Sequence, residues 1–405
     1  MAKRKKSLGE RWDHMRDILE FQIRVPEGDP EAAQKIRLKN RRRAFAAKIV
    51  YALVIVAAIA ALARYFVSHR VYTSYETVSS RNVADNISNY RLVNGKLLRY
   101  SQDGLSLLDT ELNALWNRAY DLAQPVAVTA KEAIAVYDRR GTRIVVFNSA
   151  GEVGGFGTEL PIIAARVSGA GNVVAALENG DYTKLVYYTA GGEVIAELAE
   201  DAAREDQIAA FAVSENGETI AVAYFESFGS TVGTRLVFYN FGTAGQEKED
   251  HIVDERNYQG ELLPYLTYYN GGFVAVRDSG FSVFRGGEPV DTFFLENILS
   301  VVEGDGCIGF VFASRDVDHR YRMELYSANG RLRSSFPVDI AYDRISISEG
   351  SVVFSNGTDL AVYTLDGFKS FDGKVEEGTI FDILKIGQNR YFLVTDMKAG
   401  LIRLK

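Results

Sequence analysis

The feature that most constrains this chain is a turn that recurs along most of its length. "FNSAGEV" at 147–153, "YTAGGEV" at 188–194, "YSANGRL" at 326–332 and "YTLDGFK" at 363–369 each place an aromatic residue four positions before a glycine. Looser copies begin at Phe238 and Phe284, and an earlier one, "LLDTELNALW", occupies 107–116. The copies recur with a period of roughly 37–51 residues, which indicates a repeat architecture.

Each copy is written in short apolar runs that are typical of strands. "IAVY" at 134–137 is followed by "RIVVFN" at 143–148, and "VVAAL" at 173–177 is followed by "KLVYYT" at 184–189. Glycine or asparagine is needed in the turns between such runs, because hairpin turns place residues at positive φ. Strands alone, with turns at a period near 40 residues, predict a β-propeller.

The number of copies and the two ends of the repeat region predict how the ring closes. Eight copies predict eight blades, with seven as the alternative. The last copy, "GLIRLK" at 400–405, stops after what should be its third strand. "VYTSYETVSS" at 71–80 could supply the missing outer strand, which would leave no free edge. A solenoid of small sheets is the competing architecture, but it would need capping repeats and none is evident. We therefore predict an all-β propeller over residues 68–405.

The segment before the repeats, residues 45–67, reads "FAAKIVYALVIVAAIAALARYFV". Its fifteen residues from 49 to 63 carry no charge, and a membrane-spanning helix needs about 20 apolar residues. Lys48 and Arg64 lie at the two ends, where long basic side chains reach the headgroups, and Tyr65 suits the interface. We predict a signal-anchor helix that spans the membrane once. A cleaved signal peptide and a buried core helix are the alternatives.

Charge is distributed unevenly along the chain and predicts the topology. Residues 1–44 hold 13 Lys+Arg against 7 Asp+Glu, whereas residues 68–405 hold 31 against 46, a net charge of −15. The positive-inside rule places the basic segment 1–44 in the cytoplasm and the propeller outside the plasma membrane. The acidic body argues against nucleic acid as a partner, because phosphate contacts need basic patches. The run that sets the topology comprises Lys35, Arg37, Lys39, Arg41, Arg42 and Arg43.

The sequence contains few residues that indicate a catalytic or metal-binding site. Cys307 is the only cysteine, so an internal disulfide and a cysteine-based metal site are excluded, and we expect it to be buried in a strand. The four histidines are scattered. "SQDGL" at 101–105 is one residue short of a sialidase-like Asp box and is interpreted as a hairpin turn. No catalytic residue, metal ligand or cofactor is predicted.

The repeats resemble those of WD40-like and quinoprotein-like propellers. "LLDTELNALW" is similar to the quinoprotein "LD..TG..LW" pattern, with Leu112 and Asn113 in place of the usual Thr-Gly. The full layout of basic head, single anchor and acidic propeller resembles an uncharacterised family of unknown function (5711-type) from Gram-positive, clostridial bacteria. That resemblance covers nearly the whole chain. It implies a membrane-anchored propeller and no known activity.

Three functions are compatible with these features. We expect a non-enzymatic scaffold or receptor whose top face or channel binds a protein, a peptide or an envelope polymer. The alternative is an extracytoplasmic hydrolase or lyase acting on glycans or peptides, which would gather carboxylates with a Tyr or Arg at one end of the channel. An exposed aromatic or charged face would favour the scaffold, and a deep polar pocket would favour the enzyme. A redox propeller of quinoprotein type would need channel tryptophans, and residues 68–405 contain only Trp116.

Overall fold

The computed structural model describes residues 30–68, 70–82, 88–198, 207–269 and 271–405. The chain divides into two compact units, Met1–Arg70 and Val71–Lys405. Apart from Arg70, the described part of the first unit is helix α1 (Pro30–Ser68). It begins fifteen residues before the predicted anchor, and its first residue is a proline, which suits the first turn of a helix. The predicted basic segment lies partly outside the described residues, since these start at 30.

Along α1, the described side chains of the apolar stretch are exposed. Ile49, Leu53 and Val56 show 46%, 62% and 62% of their surface, and the large apolar residues on the other sides of the helix are exposed as well. Within the residues that the structure describes, no helix is both long enough and apolar enough to cross a membrane.

The second unit contains eight four-stranded antiparallel sheets, numbered here as blades 1 to 8 in the chain order of their first strands. The bounds for blades 1 to 4 are as follows. Blade 1 consists of β2 (Asn89–Val93), β3 (Lys96–Ser101), β4 (Gly104–Leu108) and β5 (Ala114–Ala119). Blade 2 consists of β6 (Pro125–Ala130), β7 (Ala133–Asp138), β8 (Arg143–Asn148) and β9 (Gly151–Gly157). Blade 3 consists of β10 (Ile162–Val167), β11 (Val173–Asn179), β12 (Tyr182–Tyr188) and β13 (Val194–Glu197). Blade 4 consists of β14 (Ile208–Val213), β15 (Thr219–Phe228), β16 (Thr231–Asn240) and β17 (Ile252–Tyr258).

The bounds for blades 5 to 8 complete the ring. Blade 5 consists of β18 (Tyr265–Tyr269), β19 (Gly272–Arg277), β20 (Gly280–Arg285) and β21 (Glu288–Phe294). Blade 6 consists of β22 (Ile298–Gly304), β23 (Cys307–Ala313), β24 (Tyr321–Ser327) and β25 (Leu332–Val338). Blade 7 consists of β26 (Arg344–Ser348), β27 (Ser351–Asn356), β28 (Asp359–Thr364) and β29 (Lys369–Lys374). Blade 8 consists of β30 (Ile380–Lys385), β31 (Arg390–Thr395), β32 (Lys398–Leu404) and β1 (Tyr75–Asn82).

The hydrophobic core consists of eight clusters, one between each pair of neighbouring blades. The second and third strands of a blade are covered on both faces, so they are near-continuous apolar runs instead of alternating ones, as in "AIAVYD" of β7. The cluster between blades 8 and 1 is the smallest, with five buried residues. The others hold between eight and thirteen, so packing is thinnest where the ring closes.

The recurring aromatic residue joins consecutive blades. In four places its ring contacts an aromatic ring on the outer strand of the preceding blade, with centroids 5.0–6.1 Å apart. The four pairs are Trp116–Phe147, Phe156–Tyr188, Phe293–Tyr326 and Phe336–Tyr363.

The recurring glycine serves the same contact. Gly330 has a φ of +77°, which L-residues rarely adopt, and a Cβ there would meet the Phe293 ring. Gly192, at φ +93°, stands in the same relation to Phe156. The turn therefore has to be glycine both for its backbone conformation and for the packing between blades.

The ring closes as the sequence predicts. β1 pairs antiparallel with β32, from Tyr75 opposite Leu404 to Asn82 opposite Lys398. The outer strand of blade 8 is thus supplied by the start of the unit and its other three strands by the end. Eight blades are confirmed. The seven-blade and solenoid alternatives are wrong, because each of the eight copies forms a sheet and neither end of the array needs a cap.

Glu377, in the loop between blades 7 and 8, holds β1 in place. Its carboxylate accepts hydrogen bonds from the Tyr75 hydroxyl at 2.6 Å and from the Thr77 hydroxyl at 2.5 Å. The Tyr75 oxygen in turn accepts the Glu376 N–H at 2.8 Å. Burial, together with the bond to Glu377, raises the pKa of Tyr75 to about 12. Burial alone would raise the pKa of Glu377, but the hydrogen bonds from Thr77 and Tyr75 outweigh it and lower that pKa.

We expect acid to weaken this closure. Because the folded-state pKa of Glu377 is depressed, its stabilisation is fully present above the ordinary value of 4.5 and is lost as the pH falls through the lower folded-state value. Glu377→Gln should lower the urea midpoint at neutral pH and flatten its decline in acid. Unfolding of the full chain in urea across that pH range measures both effects.

Glu376→Gln is the matched control for this prediction. The Glu376 side chain is exposed, and only its backbone N–H contacts Tyr75. An acid profile for Glu377→Gln that overlays that of Glu376→Gln would contradict the assignment.

Candidate ligand-binding cavity

A cavity of about 1430 Å³ lies at the propeller axis. It is lined by residues of the first strands of blades 6, 7, 8 and 1, and it extends between blades 8 and 1, where the core cluster is smallest. The first strands of neighbouring blades contact one another around the ring, so they form the inner wall. The cavity therefore combines the axial channel with a gap between blades 8 and 1.

Strand periodicity explains which side chains line the wall. Along β2, Asn89 and Arg91 are exposed, whereas Tyr90 and Leu92 between them are partly covered. This is the alternation of a strand with one face toward an open channel. Arg344 is the exposed first residue of β26. On β30, Phe381 is exposed and Asp382 is half-buried.

Arginines outnumber carboxylates in the lining. Four arginines line the cavity, against the two carboxyl groups of Asp382 and Glu303. Within the described residues, none of the four takes part in an ion pair. The body that surrounds them carries a net charge of −15 over residues 68–405, so the cavity is a local inversion of the protein's charge. The four are Arg81, Arg91, Arg99 and Arg344.

Asp382 lies among these cations. Burial raises its pKa above the ordinary value, and the Ile383 N–H, which donates to its Oδ1 at 2.9 Å, opposes that rise. The positive charges of Arg344 and Arg91 also oppose it. These two arginines are therefore close enough to Asp382 for their charges to act on one another.

The chemistry that this arrangement permits is chiefly the binding of anions. The arginine fork donates pairs of hydrogen bonds to carboxylate or phosphate. Neither described histidine, His251 or His319, lines the cavity. In the described part of the chain, no group of three or more His, Cys, Asp or Glu side chains could hold a metal ion.

The site residues named from the sequence lie elsewhere. Lys48 and Tyr65 are exposed on α1, and Tyr65 makes an edge contact with Phe66 at 6.0 Å. Arg64 and the basic run at 35–43 are helical in backbone, but their side chains lie outside the described residues. Their proposed roles stay predictions. Cys307 is buried in β23 at 1% exposure, as expected.

Sequence reasoning missed the cavity residues. Arg91, Arg344 and Asp382 come from three blades and form no motif along the chain. A usable signal was present, however. Each is a charged residue in the first strand of a repeat, and the second and third strands of those repeats are mostly apolar.

Comparison with known proteins identifies the fold and the family. The chain is similar to Sqt1 of Chaetomium thermophilum, with 10% identity, a TM-score of 0.50, and coverage of 81% of this chain and 98% of that one. Sqt1 solved with the N-terminus of ribosomal protein L10 matches equally, covering 81% and 99% at 10% identity and a TM-score of 0.50. BamB of Moraxella catarrhalis shares 10% identity, with a TM-score of 0.46 and coverage of 82% and 100%.

The two Sqt1 structures show the propeller fold. None of the curated proteins compared with the chain matches it. The family model for the "Family of unknown function (DUF5711)" matches residues 68–404, nearly the whole propeller with the segment before it. The bacterial origin and the anchor that the resemblance implied stay predictions. The expected membership of the 5711-type family is confirmed over residues 68–404, and the chain belongs to the DUF5711 family.

Proposed function

We propose that this protein is a membrane-anchored binding propeller that holds a protein partner outside the cell. The observation that carries the proposal is the axial cavity, a large recess whose exposed cationic lining is formed by separate blades of the ring. A propeller of this fold, Sqt1, has been solved holding a segment of another protein. In this proposal the propeller binds the partner, and the N-terminal unit anchors the chain in the membrane.

The anchor rests on the sequence of residues 45–67 and on the surface of α1. Exposed Ile49, Leu53 and Val56 belong to an uncharged stretch. Apolar surfaces of that kind mark sites that contact a membrane or another protein. Lys48 at one end is exposed, as a residue that contacts headgroups would be. The excess of basic residues before this stretch supports a cytoplasmic N-terminus and an extracytoplasmic propeller.

A hydrolase or lyase acting on glycans or peptides is the second candidate. Asp382 is the observation that favours it, since a half-buried carboxyl group with a raised pKa beside arginines suits a general acid. The cavity that contains it also has polar and charged side chains in its lining, as an enzyme site would. Glu303 is the other carboxyl group of the lining. Turnover abolished by Asp382→Asn, with binding retained, would favour this candidate.

The location is tested by labelling intact cells with a membrane-impermeant maleimide. The native Cys307 is buried, so the unmodified chain should stay unlabelled. Val317 is 99% exposed, so the variant V317C should react from outside. Ser7→Cys, in the segment predicted to be cytoplasmic, should react only after the cells are lysed. Labelling of S7C but not V317C in intact cells would reverse the topology.

The binding role is tested by crosslinking and capture from the native membrane. The full-length chain and a chain lacking residues 1–29, which keeps the basic run that sets the topology, are treated with an impermeant crosslinker, and captured proteins are compared. We expect the same partners from both chains, because recognition is assigned to the propeller. Capture that requires residues 1–29, or no crosslinked protein from either chain, would overturn the proposal.

A further inference from the structure

We propose that the axial cavity binds an extended peptide segment that carries Asp or Glu beside apolar residues, with Arg91 and Arg344 receiving its carboxylates. This inference rests on the proposed function and names the class of ligand. The ligand class is inferred from individual side chains of the first strands, not from the propeller fold.

The first argument is the state of the two arginines. Arg91 and Arg344 are exposed to the cavity, and neither has an ion-pair partner within the described residues. Seven other arginines of the propeller form ion pairs with described residues. Arg277 contacts Glu261 at 2.6 Å, and Arg256 contacts Asp254 at 2.8 Å. The domain contains 46 acidic residues, yet these two arginines lie near a single carboxyl group and are unpaired. This is the arrangement expected of a site that binds an anionic group.

The second argument is the apolar part of the lining. Tyr90 and Phe392 meet with ring centroids 4.7 Å apart, and Phe381 is 45% exposed. Leu92, Leu108 and Leu384 add aliphatic surface to the same cavity. Arginines interleaved with aromatic and aliphatic groups match a chain that alternates carboxylates with apolar side chains. A polymer of phosphates would leave this apolar surface uncovered.

The third argument concerns size and long-range charge. Pockets for drug-sized ligands measure about 300–1,000 Å³. A volume of about 1430 Å³ therefore suits a longer segment. The surrounding net charge of −15 repels a long polyanion along its whole length. A short peptide with one or two carboxylates lets the cavity arginines act at contact distance, where salt screens them least.

The test uses the full-length chain in a mild detergent and a phage-displayed library of random peptides. We expect enriched sequences to carry Asp or Glu next to apolar residues. Synthetic versions of the enriched peptides should bind about tenfold or more weakly to Arg91→Ala and to Arg344→Ala, since each variant loses a charge-assisted hydrogen bond. Affinity should also decline as salt is added.

The matched control is Arg285→Ala, which removes an exposed arginine of blade 5 outside the cavity and should leave peptide affinity unchanged. Melting temperatures of all variants are compared first. Arg91→Lys and Arg344→Lys keep the charge without the fork, and they should bind with intermediate affinity if contact with a carboxylate is the cause.

Several outcomes would overturn the inference. Enriched peptides that lack acidic residues, or that bind the two arginine variants as well as the parent, would place recognition elsewhere. So would a library that yields no binder. Binding of a polyphosphate probe through the same arginines, without peptide binding, would make the ligand an anionic polymer. In each case, crosslinked capture from native membranes still decides separately whether the propeller has a protein partner.

Discussion

Gly400→Ala is expected to open the ring. Gly400 is the third residue of β32 and lies opposite Ser80 of β1. A Cβ built there would meet the backbone oxygen of Ser79 and would lie 2.6 Å from the Ser80 Cα, so β1 would have to move away. Backbone on the receiving side cannot rotate aside as a flexible side chain does. We expect a loss of about 2–4 kcal/mol in the free energy of unfolding.

Two measurements check this result. Urea unfolding gives the loss of stability, and hydrogen exchange should show faster exchange of the β1 amides, Tyr75–Asn82, than of the other outer strands. The matched control is Gly157→Ala at the end of β9, where a new Cβ would have only the Thr142 oxygen within 4 Å, at 3.9 Å. A Gly400→Ala chain as stable as the Gly157→Ala chain would contradict the closure argument.

Phe281→Ala is expected to cost about 3–5 kcal/mol, the usual range for a large aromatic residue lost from a core. Phe281 is fully buried between blades 5 and 6. Its ring stacks on Phe293 at 4.7 Å and on Phe310 at 5.0 Å, and it meets Tyr326 edge-on at 5.1 Å. Removing it leaves a hole between two blades that neighbouring strands, fixed by their ladders, cannot fill.

Phe294→Ala is the control for this prediction. Phe294 lies in the same blade, on the outer strand β21, but its side chain is 77% exposed. Its described contact is the Arg277 guanidinium, 5.4 Å from the ring centre. We expect a change of less than about 1 kcal/mol. Equal losses for the two variants, measured by urea unfolding, would show that the interface between blades 5 and 6 does not carry this stability.

The fold could be predicted because the sequence pattern that specifies each blade repeats along the chain. The spacing of glycine and aromatic residue sets the turn, the apolar runs set the second and third strands, and an incomplete last copy implies closure by 71–80. The exact outer strands were harder to find, because their side chains are partly exposed and their hydrophobic pattern is weak. What the spacing could not reveal was the partner of each aromatic residue. Tyr363 packs on Phe336 of the preceding blade, and only the stacking of blades brings them together.

The cavity could not be predicted for a related reason. Arg91 and Arg344 are 253 positions apart and come together only because the ring returns to its start. Local patterns record neighbours along the chain and along one sheet. They do not record which first strands face each other across an axis. Charged residues in the first strands were the available clue, and they become meaningful once the blade count and the closure are known.

The pairing of β1 with β32 also dictates an order of folding during synthesis. β1 leaves the ribosome before any other strand of the propeller, yet its partner is made last, since Tyr75 pairs with Leu404. Blades 1 to 7 are built from consecutive strands and need only local hairpins to form as they emerge. Until β32 has been synthesised, β1 lacks its partner strand, and blade 8 is incomplete. Such an edge is open to the wrong partner, including a second nascent copy of the same chain. The sequence of β1, "YETVSSRN", is hydrophilic and therefore disfavours such pairing. This suits a strand that stays without its partner until β32 is made.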